Sequence, residues 1–331
     1  MSDVFTATLA VFVVIGLGAL LRRTGLLARE ADASLMKLVV WVLIPALILD
    51  RILDSNAFDT AANIWLPPLL GFLAVAAGVA VAGAAAWWLG PALGLRTPRA
   101  RRTFALAAGL QNYGYLPIPL AQALYPDATE QADLLGVLFV FNVGTELALW
   151  TLGVAVVSGT AGWAGAKRAC NPPAVAVAAA LLLYAAGGRA WIPQPLNHAL
   201  TGLAACAVPV ALLMIGALIA DAWTQGRADP NTTPRDAWLG AIGGCVLRLG
   251  LLPLVFVGFA AALPWIFLGT AEQALPLRRV LMLQAAMPAA VFPIVIARFY
   301  GGEPAVAARV AIATSAASLI TMPLWIAALR G

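Results

Sequence analysis

Charged side chains are scarce in this sequence. Asp, Glu, Lys and Arg make up 11% of its 331 residues, whereas hydrophobic residues make up 62%. A soluble domain carries roughly 25% charged residues, so this composition excludes an ordinary soluble enzyme. The net charge of +5 does not indicate a nucleic-acid patch either, because the basic residues follow the loops of a membrane protein. No nucleic-acid partner is expected, and most of the surface must face membrane lipid.

Histidine and cysteine are nearly missing as well. The chain has one histidine, His198, and three cysteines without CxxC spacing, so we expect neither a disulfide framework nor a metal site. An intramembrane protease requires a Ser–His pair, paired aspartates or an HExxH motif. None of these motifs lies within a predicted transmembrane span. The chain is therefore expected to be no enzyme and to hold no cofactor.

Ten apolar runs are long enough to suggest membrane helices. A hydrocarbon core about 30 Å thick requires roughly 20 apolar residues in a helix, and every span must satisfy its own backbone hydrogen bonds. The sequence thus predicts an all-α integral membrane protein with ten transmembrane helices. The predicted spans are 4–21, 35–53, 64–89, 103–124, 134–157, 174–188, 200–220, 237–263, 279–299 and 308–329.

Basic residues alternate between the loops. Fourteen of the 20 lie in one set of alternate loops, including 22–37 and 96–102, and only five lie in the other set. Cytoplasmic loops carry the excess of Lys and Arg. This predicts a multi-pass protein of the plasma membrane with both termini outside.

The two halves of the chain show a weak internal similarity. The segment 1–157 and the segment 174–331 each hold five predicted spans, separated by a cytoplasmic linker at 158–173. Ile-Pro-Ala in the second span resembles Val-Pro-Val in the seventh. Because five is odd, the second copy must be inverted across the membrane. We expect a 5+5 inverted repeat.

Glycine and proline cluster in the fourth and ninth spans, which correspond in such a repeat. A proline removes a backbone donor and clashes with the preceding helical turn. Transporters built from inverted repeats bind substrate near the midplane, between discontinuous helices. We therefore expect broken helices, although ordinary proline kinks remain an alternative. The residues are Gly109, Gly114, Pro117 and Pro119 in the fourth span, and Pro288 and Pro293 in the ninth.

Several of these stretches resemble the auxin efflux carrier family. They are QNYGYLPIPL at 111–120, LQAAMPAAVFP at 283–293, and the segments 247–253 and 314–323. The resemblance implies a fold akin to bile-acid symporters and sodium–proton antiporters, with helices 4 and 9 crossing. It also implies elevator-type transport, in which helices 1, 2, 6 and 7 form a scaffold and helices 3–5 and 8–10 carry the substrate. A homodimer through the scaffold helices is one arrangement that this fold allows.

Two departures separate the chain from the plant PIN-type auxin carriers. Gln111 precedes Asn112 where those carriers have Pro-Asn, and Ala289 follows Pro288 where they have a polar amide. Their long cytoplasmic loop is also missing. The resemblance thus implies a compact bacterial-type member, located in the bacterial inner membrane. Small carboxylates such as malate or malonate, or an auxin-like acid, are its implied substrates.

Polar residues inside predicted spans are candidates for the coupling site. Glu146 lies one helical turn from Asn142, so the two share a helix face. With Gln284 and Ser315 they could supply oxygen ligands for Na⁺, or Glu146 could carry a proton. A structural hydrogen-bonded network, or a Glu146–Arg248 pair joining two helices, is the alternative interpretation.

The substrate carboxylate is expected at the half-helix N-termini after the two breaks, where free N–H groups favour an anion. Arg248 is assigned a gating or structural role instead, with snorkelling towards the cytoplasm as an alternative. The crossover hinges are Pro117, Pro119, Pro288 and Pro293. The predicted substrate-binding residues, led by Asn112, are Asn112, Tyr113, Gly114, Pro288, Ala289 and Ala290.

The sequence therefore predicts a secondary transporter for a small organic anion. A cation or proton exchanger on the same architecture is the first rival, although its usual paired intramembrane carboxylates are missing. A non-transporting membrane sensor is the second rival, although the chain offers no soluble output domain.

Overall fold

The computed structural model describes residues 2–160, 171–226 and 233–330. Within these ranges the chain is helical, and the only strand-like feature is one isolated bridge between two residues. Most of the predicted linker 158–173 lies outside the described residues, as do Lys167, Arg168 and Arg227. The all-α prediction is confirmed for the part of the chain that the structure describes.

Twelve helices make up the described chain. Three of them contain a short π-helical stretch, at Val39–Leu43, Leu149–Gly153 and Val246–Leu251. The helices are α1 (Ser2–Arg23), α2 (Arg29–Leu53), α3 (Ala62–Trp88), α4 (Pro98–Gly109), α5 (Pro117–Leu124), α6 (Ala128–Ser158), α7 (Pro172–Ala185), α8 (Gln194–Gly226), α9 (Arg235–Ile266), α10 (Leu275–Ala285), α11 (Phe292–Phe299) and α12 (Pro304–Arg330).

Six of these helices are long and apolar enough to cross a membrane: α2, α3, α6, α8, α9 and α12. The shorter α7 is apolar as well. The chain is thus a multi-pass integral membrane protein. Several helix bounds differ from the predicted spans, in both directions. The run predicted at 200–220 is the helix Gln194–Gly226, and the run predicted at 174–188 ends at Ala185.

Side-chain caps explain where several helices begin. The first N–H groups of a helix have no partner within it, and Ser, Thr, Asp or Asn at the N-cap supplies one. Thr97 accepts from Ala100 N at 2.9 Å at the start of α4, and Asp127 accepts from Glu130 N at 2.9 Å at the start of α6. Asn171 accepts from Ala174 N at 3.0 Å and so begins α7.

Glycine permits two very close helix crossings. A Cβ at Gly144 of α6 would lie 1.7 Å from the Pro68 carbonyl oxygen, and one at Gly71 of α3 would lie 2.2 Å from the Phe141 carbonyl oxygen. Helices in a membrane associate through such small-residue contacts, because lipid provides no hydrophobic driving force. The backbones of α3 and α6 therefore touch directly. Gly18 and Gly216 serve the α1–α8 crossing in the same way.

The helices form two sets of neighbours. In the first set α1 packs on α8, α2 packs on α7, and α2 also contacts α8. In the second set α3 packs on α4 and α6, while α9 packs on α10 and α12. The broken segments join the second set, since α4 contacts α12 and α10 contacts α6. Contacts of α6 with α2 and of α12 with α8 connect the two sets.

Polar contacts join loops that the sequence predicts to lie on the same side of the membrane. At the predicted cytoplasmic side they bring the start of α2 to the end of α8 and the α3–α4 loop to the start of α9. At the opposite side they bring the start of α6 to the end of α2 and to α10. These contacts are Arg29–Asp221 at 2.9 Å, Arg96–Asp236 at 2.9 Å, Ser55–Asp133 at 2.8 Å and Arg279–Glu130 at 3.2 Å.

Candidate functional site

Two interrupted helices cross in the interior. The segment predicted as the fourth span is broken between Gly109 and Pro117, and the segment predicted as the ninth is broken between Ala285 and Phe292. We call residues 110–116 the first break and residues 286–291 the second break. Pro117 directly follows the first break and Pro288 lies within the second, and a proline disrupts the preceding turn of a regular helix.

The two breaks are joined by backbone hydrogen bonds. Asn112 N donates to Pro288 O at 2.8 Å, and Ala290 N donates to Leu110 O at 3.0 Å. Gln111 and Ala289 form an isolated antiparallel bridge between these bonds. Extended backbone at membrane depth is tolerated only when its polar groups find partners inside the protein. The crossing meets this requirement by pairing one break with the other.

The predicted anion-binding residues lie together at this crossing, but several of their backbone N–H groups already donate hydrogen bonds within the protein. Besides the N–H groups of Asn112 and Ala290, that of Ala289 also has a partner, the Thr314 hydroxyl oxygen at 3.2 Å. Pro288 has no N–H group. The predicted N–H donors at the second break are therefore engaged in holding the crossing.

The first break is the more open of the two. Asn112 is buried, but Tyr113 and Gly114 are half-buried, whereas Pro288, Ala289 and Ala290 are all buried. The Asn112 side-chain oxygen accepts from Leu116 N at 3.4 Å, a long bond. More residues of the first break than of the second are therefore partly exposed.

Glu146 of α6 is held by three neutral donors. Its carboxylate accepts from Tyr113 Oη at 2.6 Å, from Trp150 Nε1 at 2.9 Å and from Asn171 Nδ2 at 3.2 Å. The alternative of a Glu146–Arg248 pair is wrong, because neither residue is a hydrogen-bond or ion-pair partner of the other. Glu146 instead connects α6 to the first break and to the cap of α7.

The other predicted coupling residues divide into two groups. Gln284 is buried and donates through Nε2 to Tyr113 O at 3.0 Å, so it joins the network around Glu146. Asn142 is half-buried, and its Oδ1 is buried without a hydrogen-bond partner. Ser315 is only half-buried and accepts through its carbonyl from Ser318, within α12. Its neighbour Thr314 is the residue that contacts the second break.

Arg248 of α9 contacts the end of α4, next to the first break. The side chain is 1% exposed, so the snorkelling alternative is wrong. Nη1 donates weakly to Gly109 O at 3.4 Å, and the guanidinium carbon lies 5.7 Å from the centre of the Phe256 ring. Nε and Nη2 are buried without a hydrogen-bond partner.

Helix polarity explains only part of the Arg248 environment. Gly109 ends α4, and a cation at a helix C-terminus gains about 0.3–1 kcal/mol, up to ~2 kcal/mol when partly buried. An arginine at the centre of a bilayer costs roughly 2.5–3.5 kcal/mol on insertion scales. The helix end therefore does not offset the burial of this charge.

Both intramembrane charges lie at π-helical stretches. Arg248 is within Val246–Leu251 of α9, and Glu146 lies just before Leu149–Gly153 of α6 and accepts from Trp150 in it. A π-helical turn inserts an extra residue and is common at functional sites. It turns the side chains on its two sides relative to one another, and nothing in the local sequence predicts it.

Gln111 was missed among the candidate site residues. It is fully buried in the first break, and both Nε2 and Oε1 lack a partner. The signal was available, because an amide side chain stands in the quoted motif directly before Asn112. Among the described residues, no group of three or more His, Cys, Asp or Glu is placed to hold a metal ion.

Comparison with protein families gives one result that covers most of the chain. A family model described as membrane transport protein matches residues 3–164 and residues 160–326. The two matched stretches meet close to the predicted boundary between the halves. Comparison with curated proteins gives no match.

Proposed function

We propose that this chain, which belongs to the membrane transport protein family, is a secondary transporter of a small organic anion. This is the auxin efflux carrier family that the motifs of the sequence resemble. The substrate class is a small carboxylate such as malate, malonate or an auxin-like acid. The single observation that carries the proposal is the crossing of two broken helices, which are joined by backbone hydrogen bonds and include the buried polar residues Gln111 and Asn112.

Ten transmembrane passages in two inverted sets of five are part of the proposal. In this arrangement α4 with α5 forms the fourth passage and α10 with α11 forms the ninth. The helix contacts support it, because they recur in corresponding pairs. The α1–α8 contact corresponds to α7–α2, α3–α6 to α9–α12, and α4–α12 to α10–α6. The division at 1–157 and 174–331 agrees with the two stretches that match the family model.

The mechanism proposed is an elevator-type alternation of access. The scaffold is α1, α2, α7 and α8, and the transport domain is α3–α6 with α9–α12. The separation of the helices into two sets of neighbours supports this division. The hydrogen bond from Asn171 of α7 to Glu146 of α6 crosses the boundary. It would have to break when the transport domain moves.

The proposed orientation places both termini outside a bacterial inner membrane. The positive-inside excess of the sequence supports it. The polar contacts of Arg29 with Asp221 and of Arg96 with Asp236 support the grouping of these loops on one side, because both contacts join loops of the predicted cytoplasmic set.

Coupling to Na⁺ or H⁺ is proposed at the Glu146 side of the crossing. Asn142 Oδ1 and Gln284 Oε1 are buried acceptors without a partner, which a cation could use. A hard cation such as Na⁺ prefers several oxygen ligands of this kind. Glu146 itself is the group that could exchange a proton. Ser315 is the least supported member of the predicted set, since it makes its bond within α12.

Transport assays test the function. Proteoliposomes containing the purified protein should take up labelled malate, malonate or indole-acetate faster than empty liposomes. Asn112→Ala should abolish this uptake, because the residue lies at the junction of the two breaks. The matched control is Asn197→Ala, outside the crossing. Uptake of cations without any carboxylate from a broad panel would instead support the exchanger.

A further inference from the structure

The guanidinium of Arg248 has a free edge inside the protein. Nε–H and Nη2–H lie side by side on one edge of the guanidinium plane, and both are buried without a partner. The third nitrogen, Nη1, faces the Gly109 carbonyl at the end of α4. Arginine is always charged, so this edge is a permanent pair of buried donors.

Two other arginines of the chain show what such an edge binds. Arg96 places Nε on Asp236 Oδ2 at 2.9 Å and Nη2 on Oδ1 at 3.2 Å, one oxygen for each nitrogen. Arg29 places Nε and Nη2 on a single oxygen, Asp221 Oδ1, at 3.2 and 2.9 Å. Two parallel N–H groups match the two oxygens of a carboxylate, which is why arginine recognises carboxylates with this geometry. In Arg248 the same edge lacks a carboxylate from the described chain.

The position of Arg248 indicates that the missing partner of its free edge is a ligand. It contacts Gly109, the last residue of α4 next to the first break, and no acidic side chain of the described residues forms an ion pair with it. Gln111, two residues beyond Gly109, adds a buried amide donor that also lacks a partner. A buried charge without a counter-charge is strongly unfavourable.

We propose that the Nε/Nη2 edge of Arg248 binds the carboxylate of the transported anion, so that Arg248 recognises the substrate directly. This inference rests on the proposed function. The Gly109 carbonyl at the end of α4 accepts from Nη1, and the substrate carboxylate accepts from Nε and Nη2. The ligand class is a planar carboxylate, which gives each of the two donors its own oxygen, whereas a spherical halide offers both donors the same acceptor atom.

The test is ligand binding by the purified full-length protein in detergent. Its melting temperature is measured with sodium malate, malonate or indole-acetate, and with sodium chloride at equal ionic strength. We expect at least one carboxylate to raise the melting temperature and chloride not to do so. Arg248→Met should abolish this rise while leaving the ligand-free melting temperature unchanged or higher, because it removes a buried unpaired charge.

Arg248→Lys keeps the proposal testable if the methionine variant does not fold. Lysine keeps the charge near Gly109 O but has no two-nitrogen edge. The carboxylate Kd should increase at least about tenfold. Arg96→Lys is the matched control, since the edge of Arg96 is already filled by Asp236 at the surface; its Kd should be unchanged.

The contradicting outcomes are distinct. Equal carboxylate affinity in wild type and both Arg248 variants overturns this inference, as does stabilisation by chloride alone or by none of these anions. The proposed function has its own measurement, uptake by wild-type proteoliposomes. A wild type that transports a carboxylate, with Arg248 variants that bind it equally well, would leave the function standing and remove Arg248 from the site.

Discussion

Replacing Gly144 by alanine should destabilise the protein through a single methyl group. The new Cβ would lie 1.7 Å from the Pro68 carbonyl oxygen and 2.5 Å from its carbon. Because real Cβ atoms essentially never come closer than 3.0 Å to such atoms, α6 and α3 must separate by more than an ångström. The neighbouring contact, Gly71 on Phe141 O, would be opened by the same movement.

The size of the effect follows from the rigidity of both partners. The atoms that must move belong to helix backbone, so a rotamer change cannot relieve the contact. Overpacking of this kind costs typically 1–3 kcal/mol. Alanine itself is favoured over glycine in a helix by about 0.8–1 kcal/mol, which offsets part of that cost. We expect a net destabilisation of about 0–2 kcal/mol relative to the wild type, and of about 1–3 kcal/mol relative to a glycine-to-alanine change without the contact.

The assay is thermal or denaturant unfolding of purified variants in detergent. Gly16→Ala in α1 is the matched control, because no atom lies within 4 Å of the Cβ that it would add. That variant should be as stable as the wild type or slightly more stable. Equal stability of Gly144→Ala and Gly16→Ala would refute the close crossing of α3 and α6.

Two further variants test the crossing and its network. Thr314→Val should lower the free energy of unfolding by about 1–3 kcal/mol, because it leaves the Ala289 N–H buried without an acceptor. The control Thr151→Val loses only a hydrogen bond within its own helix and should lower it less. Equal unfolding curves for the two variants would contradict the contact between Thr314 and the second break. Glu146→Gln should fold, since an amide can still accept from Trp150 and Asn171, whereas Glu146→Leu leaves all three donors without an acceptor and should unfold at a lower temperature. If Glu146 couples transport to protons, the glutamine variant should also lose the pH dependence of uptake, and an unchanged pH profile would contradict that role.

Local sequence signals predicted the features that depend on local physics. Apolar runs gave the helical membrane protein, and prolines at 117, 119, 288 and 293 fall at or beside the two interruptions. The partners across the crossing could not be predicted in this way, because they depend on the register of segments far apart in sequence. One position separates the predicted Ser315 from Thr314, yet that step turns the side chain by roughly 100° around a helix. It decides which hydroxyl reaches the second break.

The contacts of Arg248 and Glu146 could not be predicted from local sequence either. Their positions inside predicted transmembrane spans identified them as candidates, but their contacts depend on which helix face points inwards. A π-helical stretch within α9 and one beside Glu146 in α6 alter that face. The alternative of a pair between the two charges is wrong, and Asn171 at the start of α7, one of the three donors to Glu146, stood outside the predicted set.

The hydrogen bonds between the two breaks have a consequence for biosynthesis. Asn112 N and Leu110 O find their partners at Pro288 and Ala290, in the second half of the chain. At about 5–20 residues per second, the ribosome needs roughly 9 to 35 s to make the intervening segment. In the proposed ten-passage arrangement, the newly inserted first half then holds two unpaired backbone groups at membrane depth. Insertion must therefore shelter the first break, through water or the insertion machinery, until the second half arrives.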